Sequence, residues 1–405
     1  MSSQPSLIRT ISLPLLVFYG LGNILGAGIY VLVGKVAGIA GFWAPLSFVV
    51  ASLIVAASAF SYAELSARYP VSAGESVYIF EGFGIRSLAT VVGLLLVVAG
   101  CVSSAAIAHG FVGYLNELVP VSSSVGLVLL VIALFAIAAW GILQSVTIAA
   151  LLTLVEILGL VLVVWAGRDH LGSVAESFQL AEASFSHVGV VAIFSGAFLA
   201  FYAYIGFEDM VNIAEEVKQP RRNMPLAIII SLVVSTLIYV IVSLTAVLVV
   251  NPQELATSDA PLSLIYKTAG NGDSVLWITV ISLFAVVNGA LIQIIMSARV
   301  LYGLANKGWL PAWLGRVSAT THTPIVATLV VSIAVLLAAV ALPMLDLAQL
   351  TSALILTIFV LVNLALYRIK RKDPHPDGIQ IYPIWVPLVG AAVSGAMLLF
   401  KWVLG

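Results

Sequence analysis

The stretch LPLLVFYGLGNILGAGIYVLVGKVAG, residues 13–38, is long and apolar enough to cross a bilayer, yet it carries Gly20, Gly22, Gly26 and Gly28. Glycine weakens a helix, and a helix broken at mid-membrane frees backbone N–H and C=O groups that lipid cannot satisfy. Such a break persists where the freed groups line a cavity or meet a ligand. One reading of the glycines is close helix packing, for which Gly22 and Gly26 supply small residues at spacing four. The other is a ligand cradle. Half-helix N-termini attract a carboxylate, exposed carbonyls attract an ammonium, and glycine lets both approach the chain. A zwitterion suits both ends of that cradle.

With 62% hydrophobic residues, only 9% charged residues and a mean hydropathy of +1.16, the chain belongs in a membrane. A net charge of -1 leaves no electrostatic footprint for nucleic acid. The single cysteine, Cys101, lies inside an apolar run, so neither a disulfide framework nor a cysteine metal site is available. The first apolar run is longer than the core of a cleavable signal and reads as a retained span.

Runs long enough to span fall near 14–36, 42–66, 87–115, 124–141, 144–166, 189–214, 226–250, 274–304, 324–343, 346–367 and 383–404, which makes eleven. With the N-terminus inside, the inner segments hold thirteen of the 17 Lys and Arg residues: Arg9, Arg68, Arg86, Lys218, Arg221, Arg222, Arg299, Lys307, Arg316, Arg368, Lys370, Arg371 and Lys372. The outer segments hold Lys35, Arg168, Lys267 and Lys401, together with the acidic Asp169, Glu176, Glu182, Glu254, Asp259 and Asp273. The N-terminus is therefore expected in the cytoplasm.

The sixth run, SGAFLAFYAYIGFEDMVNIAEEV, is interrupted like the first, with Gly206, Glu208 and Asp209 inside an apolar stretch. Spans one to five and six to ten would each begin with a broken helix. An odd number of spans per half makes the halves point oppositely, which is an inverted five-plus-five plan. The chain then divides into an N-terminal segment 1–13, a first repeat 14–166, an outer loop 167–188, a second repeat 189–367, a basic loop 368–382 and a last span in 383–405.

A carboxylate inside a span costs roughly 2.5 to 3.5 kcal/mol on insertion scales and marks function. Glu156, in LLTLVEILGL, lies almost at the centre of span five. It could bind and release a proton or attract a cation; the structural alternative is a protonated Glu156 bonded to a neighbouring helix. Asn288 and Gln293 are amides inside span eight; either could touch substrate, but helix-to-helix hydrogen bonding is the commoner role. His109, near a helix end, reads as a packing residue. Pro220 and Pro225 read as the limits of a short connection, with Lys218, Arg221 and Arg222 pairing to Glu215 or Glu216 as an inner latch. The cluster RIKRK, residues 368–372, requires nothing beyond topology and headgroup attraction.

Four segments carry a family resemblance: GNILGAGIYVLVG, ELSARYPVSAGESVYIFEGFG, FYAYIGFEDMVNIAEEVKQPRRNMPLAI and SARVLYGLANKGWLP. In this order they resemble the amino acid/polyamine/organocation superfamily, across most of the chain. The resemblance implies the leucine-transporter fold, an all-α membrane protein with broken first and sixth helices, and transport by alternating access. By position, Gly26, Ala27 and Gly28 match the amides that hold a substrate carboxylate, and Ile24 matches a carbonyl for the ammonium. Ala27 lacks the hydroxyl usual there.

Ser103, Ser104 and Ile107 would shape the side-chain pocket, while Phe201, Tyr202 and Ile205 match carbonyl and aromatic-gate positions. At span five, proton-coupled relatives often place a lysine where this chain has Glu156. Glu208 matches an acidic residue with a suspected proton-linked or gating role, or else bridges from span six to freed backbone donors of span one. The family's sodium ligands include Ser or Thr on span eight, and none occurs between Ala285 and Met296.

The expected function is a secondary active transporter of neutral amino acids in a plasma membrane, bacterial inner membrane by type. It would be coupled to a proton or run by exchange, with sodium disfavoured and without a cofactor. The alternative is a polyamine or cationic amino acid carrier. A channel would need a filter or charged ring, and an enzyme a catalytic motif; neither is present in the sequence.

Overall fold

The computed structural model describes residues 9, 11–71, 74–140, 145–176, 179, 187–270, 275–318, 321 and 323–404. Glu182, Asp273, most of the N-terminal segment and the edges of the spans expected at 124–141, 144–166 and 274–304 lie outside them. The described helices are α1 (Leu13–Ala40), α2 (Ala44–Arg68), α3 (Gly74–Phe83), α4 (Arg86–Asn116), α5 (Ser123–Trp140), α6 (Ser145–Ala166) and α7 (His187–Phe201). They continue with α8 (Pro220–Val249), α9 (Pro252–Thr257), α10 (Pro261–Thr268), α11 (Val275–Asn306), α12 (Ile325–Ala341), α13 (Met344–Lys372) and α14 (Trp385–Leu404). Among the described residues, nine helical stretches are long and apolar enough to cross a membrane. One of these, Leu13–Arg68, contains both α1 and α2, and the apolar α12 is shorter.

The two expected breaks are present. Helix α1 leaves helical geometry at Gly26 (φ -38°, ψ -124°). After α7 the chain makes a tight turn over Tyr202–Tyr204, extends at Ile205 (φ -62°, ψ 134°) and passes Gly206 at φ 129°. It then coils tightly from Glu208 to Glu216. We call this last piece the second half of the broken sixth helix. A Cβ on Gly28 would sit 2.3 Å from the Ala203 Cα, and one on Gly206 would sit 2.8 Å from the Asn23 carbonyl oxygen. The breaks therefore meet backbone to backbone, which only glycine permits.

The GxxxG pair divides its labour. A Cβ on Gly22 would lie 2.0 Å from the Thr153 hydroxyl oxygen, so this glycine admits α6. A Cβ on Gly26 would meet Gly289 at an ordinary 3.5 Å, so Gly26 marks the break rather than the closest packing. Around this centre, α2 lies along α8, and α4 lies along α11.

The connection after α2 folds into α3, a helix of 10 residues that is too short to span. Two local expectations are corrected. Pro220 and Pro225 do not delimit a loop. Pro220 opens α8, where its missing N–H and fixed φ are harmless, and Pro225 lies within the helix. Glu216 pairs at 3.2 Å with Arg299 of α11, so its partner comes from another helix rather than from the loop.

The basic cluster does more than face headgroups. Lys370 Nζ lies 2.7 Å from each carboxylate oxygen of Glu64, and Arg68 Nη2 donates to the same carboxylate at 2.8 Å. Glu64 and Lys370 are buried, and the Tyr382 N–H donates to Glu64 as well. Arg368 donates to the Gly82 carbonyl, which ties α13 to α3. Sequence could not show this, because the pairing brings together residues 306 apart. Lys370→Met strands a buried carboxylate on one remaining cation and is expected to cost about 3 kcal/mol. Thermal unfolding in detergent checks this; an unchanged midpoint contradicts it.

Candidate substrate-binding site

Between the two breaks lies a narrow cavity of about 10 Å³, room for roughly one water. Ile24, Gly28, Ser103, Ile107, Tyr202 and Ile205, all named from sequence, line it together with Asn23, Gly289 and Gln293. The lining combines apolar side chains, amides and the backbone of two interrupted helices. Such a surface has partners for a small zwitterion at the breaks and a mainly apolar wall for its side chain.

On one side the cavity is closed by Tyr202. Its hydroxyl donates to the Ser103 carbonyl at 3.1 Å, and the two hydroxyls lie 3.0 Å apart, which joins the sixth helix to α4. Behind the breaks, the Tyr239 hydroxyl of α8 lies 2.5 Å from the Ile24 carbonyl and 2.6 Å from that of Ala203. One phenol proton is thus shared between a freed carbonyl from each broken helix, where lipid offers no hydrogen bond. The Ile24 carbonyl is therefore already engaged. A carbonyl oxygen has a second lone pair, so Tyr239 does not exhaust it.

On the side facing the basic end of the bundle, three side chains meet. Asp209 accepts from Asn23 Nδ2 at 3.1 Å and from Gln293 Nε2 at 2.7 Å, and Asn23 Nδ2 also donates to the Gly206 carbonyl at 2.7 Å. This joins α1, the sixth helix and α11 directly below the cavity. Beyond it lies a second narrow cavity, also about 10 Å³, lined by Ile205, Glu208, Asp209, Gln293 and Met296 among others. Glu208 accepts the freed Gly206 N–H at 2.9 Å, so it bridges a backbone donor of its own helix rather than one of α1. Its other oxygen is buried without a partner.

Glu156 of α6 is fully buried and accepts from Asn288 Nδ2 at 2.8 Å, while its second oxygen has no partner. The Tyr30 hydroxyl donates to the Glu156 backbone carbonyl. These contacts place Glu156 between α1, α6 and α11, beside the first break but not in the cavity lining. Asn288 fulfils the helix-to-helix role. His109 also does so, its Nε2 lying 2.9 Å from the Ala339 carbonyl at the end of α12.

Three expected residues stand back from the cavity, and one of them, Gly26, packs beside Gly289 of its lining. The Ser104 hydroxyl donates to the Ala290 carbonyl at 3.2 Å, and Phe201 packs against Phe359 with centroids 5.8 Å apart. The Ala27 side chain lies outside what the structure describes. Asp209 and Asn23 were missed as site residues. Asp209 carried a signal, a second acid beside Glu208 at the break, whereas Asn23 looked like an ordinary polar residue between glycines.

Residues 11–404 match the protein family described as amino acid permease. The branched-chain amino acid permease BcaP of Bacillus subtilis (strain 168) is 29% identical over 398 residues, covering 92% of this chain and 83% of that protein. The vacuolar cationic amino acid transporter 4 of Arabidopsis thaliana is 31% identical over 401 residues, covering 90% of this chain and 64% of that protein. Among solved structures, MhsT in complex with L-phenylalanine superposes with a TM-score of 0.68 at 13% identity, covering 98% of this chain and 99% of that one. That likeness establishes a shared fold.

Proposed function

The chain belongs to the amino acid permease family of the amino acid/polyamine/organocation superfamily, and on that premise we propose that it carries neutral amino acids through the cavity between its broken helices, driven by protons. It is an integral membrane transporter of the leucine-transporter fold. The backbone N–H groups of Gly26, Ala27 and Gly28 take the substrate carboxylate, where the second half of α1 begins. Carbonyls of the first and sixth breaks take the ammonium. Ile107 and Ile205 receive the side chain, with Ser103 and Tyr202 at its edge.

The observation that carries the neutral preference is Asp209. Its Oδ2 receives amide donors from Asn23 and Gln293, two residues of the lining, so its charge is already drawn into that contact. A cationic side chain would compete with both amides for it. The second reading, a cationic amino acid or polyamine, draws on the same Asp209 with Glu208 beside it, and on the plant relative.

The cavity is far smaller than an amino acid, so transport requires the helices to part on one side at a time. Opening on one side separates Tyr202 from Ser103. Opening on the other separates Asn23, Asp209 and Gln293. With thirteen of 17 basic residues on the Asp209 side, that side faces the cytoplasm.

Proton coupling is assigned to Glu156. It has one amide donor and a free buried oxygen, and α11 offers no Ser or Thr between Ala285 and Met296 for sodium. A proton arriving on the free oxygen changes the charge beside the first break, which biases how α1 packs on α6. Uptake of labelled neutral amino acids into proteoliposomes under an inward proton gradient, a sodium gradient or neither tests this. Proton-stimulated, saturable uptake is expected. Glu156→Gln is expected to lower the proton-driven component about tenfold or more while leaving exchange at equal pH. Lysine or putrescine as the sole substrate favours the second reading, and unchanged proton dependence in Glu156→Gln removes this residue from coupling.

A further inference from the structure

Helix α3 carries a buried carboxyl that the transport reading does not use. Glu75 is wholly inaccessible in the first turn of α3, outside the membrane-spanning helices. Its partner is Asn212, in the second half of the sixth helix, whose Nδ2 donates to Glu75 Oε2 at 3.5 Å. The other oxygen of each group, Glu75 Oε1 and Asn212 Oδ1, is buried without a partner. Gly74 brings the two elements together, since a Cβ there would lie 2.7 Å from a methyl of Val211.

Two unpartnered oxygens leave room for one proton. The ionised pair has the two amide hydrogens and the Glu75 backbone N–H, and Glu75 Oε1 and Asn212 Oδ1 stay without a partner, as do the nearby Tyr62 and Tyr78 hydroxyls. A single proton on Glu75 converts the pair into a closed acid–amide ring, with acid O–H to amide oxygen and amide N–H to acid oxygen. The count is the same with the Asn212 amide turned over.

The surroundings agree. From the sixth helix, the acids Asp209 and Glu208 interact electrostatically with Glu75, and from α2 comes Tyr62. Tyr78 lies beside it on α3 itself. The cations nearest α3 are committed elsewhere. Arg368 and Lys372 reach the carbonyls of Gly82 and Glu81 at its other end, Lys370 and Arg68 hold Glu64, and Arg86 at the start of α4 donates to the Gly308 carbonyl. Burial, the largest influence, with Asp209 adding to it, pushes the Glu75 carboxyl up to about 8.

We propose that Glu75 is a second proton-binding site, and that its protonated form latches α3 to the second half of the sixth helix, releasing it when the proton leaves. Asn212 lies three residues beyond Asp209, so the latch acts on the segment that closes the cavity toward the basic end. Below a pH of about 8 the latch is closed, and above it the ionised carboxylate opens the ring. The direction in which the proton leaves rests on the orientation proposed above. The acid–amide pair does not.

Infrared spectra of the protein in lipid nanodiscs, titrated from mildly acidic to alkaline buffer, test the site without any substrate. The wild type is expected to lose a buried protonated-carboxyl band with a midpoint near 8, and Glu75→Gln to lack that component. Identical titrations in both proteins overturn the proposal. Asn212→Leu, which keeps Glu75, is expected to move the band, and an unmoved band overturns it equally. In amino acid exchange at equal pH on both faces, Glu75→Gln preserves the amide ring and is expected to hold the wild-type low-pH rate throughout. If Glu75→Gln instead follows the wild-type pH profile, the latch is wrong. Failure of proton-driven uptake would sink the coupling assigned to Glu156 and leave the infrared result intact.

Discussion

Gly206→Ala is expected to abolish transport and to lower the yield of folded protein. A side chain at φ 129° is strained by itself, and its Cβ would lie 2.8 Å from the Asn23 oxygen and 2.9 Å from its carbonyl carbon. Neither neighbour is a flexible side-chain tip, so the break of α1 must move for the variant to fold. Strain and overpacking together come to roughly 3 kcal/mol or more. Gly26→Ala is the control, because the nearest atom to its Cβ would lie at 3.5 Å. It is expected to lose less stability than Gly206→Ala, since it adds no overpacking. Thermal unfolding and monodispersity in detergent separate the two variants, and equal destabilisation would show that the two breaks do not meet as described.

Asp209→Ala is expected to cut proton-driven uptake about tenfold or more. It removes the acceptor shared by Asn23 and Gln293 and leaves the Gln293 amide buried without that partner, at a cost of about 1 to 3 kcal/mol. Asn23 keeps the Gly206 carbonyl, so the first break is not released altogether. Asp209→Asn retains an acceptor oxygen and is expected to fall between wild type and alanine. Initial rates in proteoliposomes decide the matter. Wild-type rates in Asp209→Ala would mean that the three-residue contact is not part of the cycle.

The local corrections share a cause. Lys370 looked like one of several cytoplasmic cations, and Glu64 like the end of a span, because neither carries a local sign of the other. Their pairing depends on where α2 and α13 finish relative to each other. Glu75 likewise sat in a motif read for its order of residues, and its chemistry becomes visible only beside Asn212. Ser104 matches a pocket position of the family, but its hydroxyl turns to the Ala290 carbonyl of α11.

By itself, the sequence determined that this chain crosses the membrane repeatedly and that its first and sixth helices are interrupted; which glycine of the first span carries the break, Gly26, came from the structure. The crossings and interruptions are consequences of hydropathy and backbone chemistry, which act within a single segment. Only the tertiary structure decided which freed backbone groups are already satisfied, by Tyr239 at Ile24 and Ala203 and by Glu208 at Gly206. It alone joined Asn23, Asp209 and Gln293 beneath the cavity. The physical reason is that a buried polar group must find its partner wherever packing provides one, and here packing provides it from helices far apart in the chain.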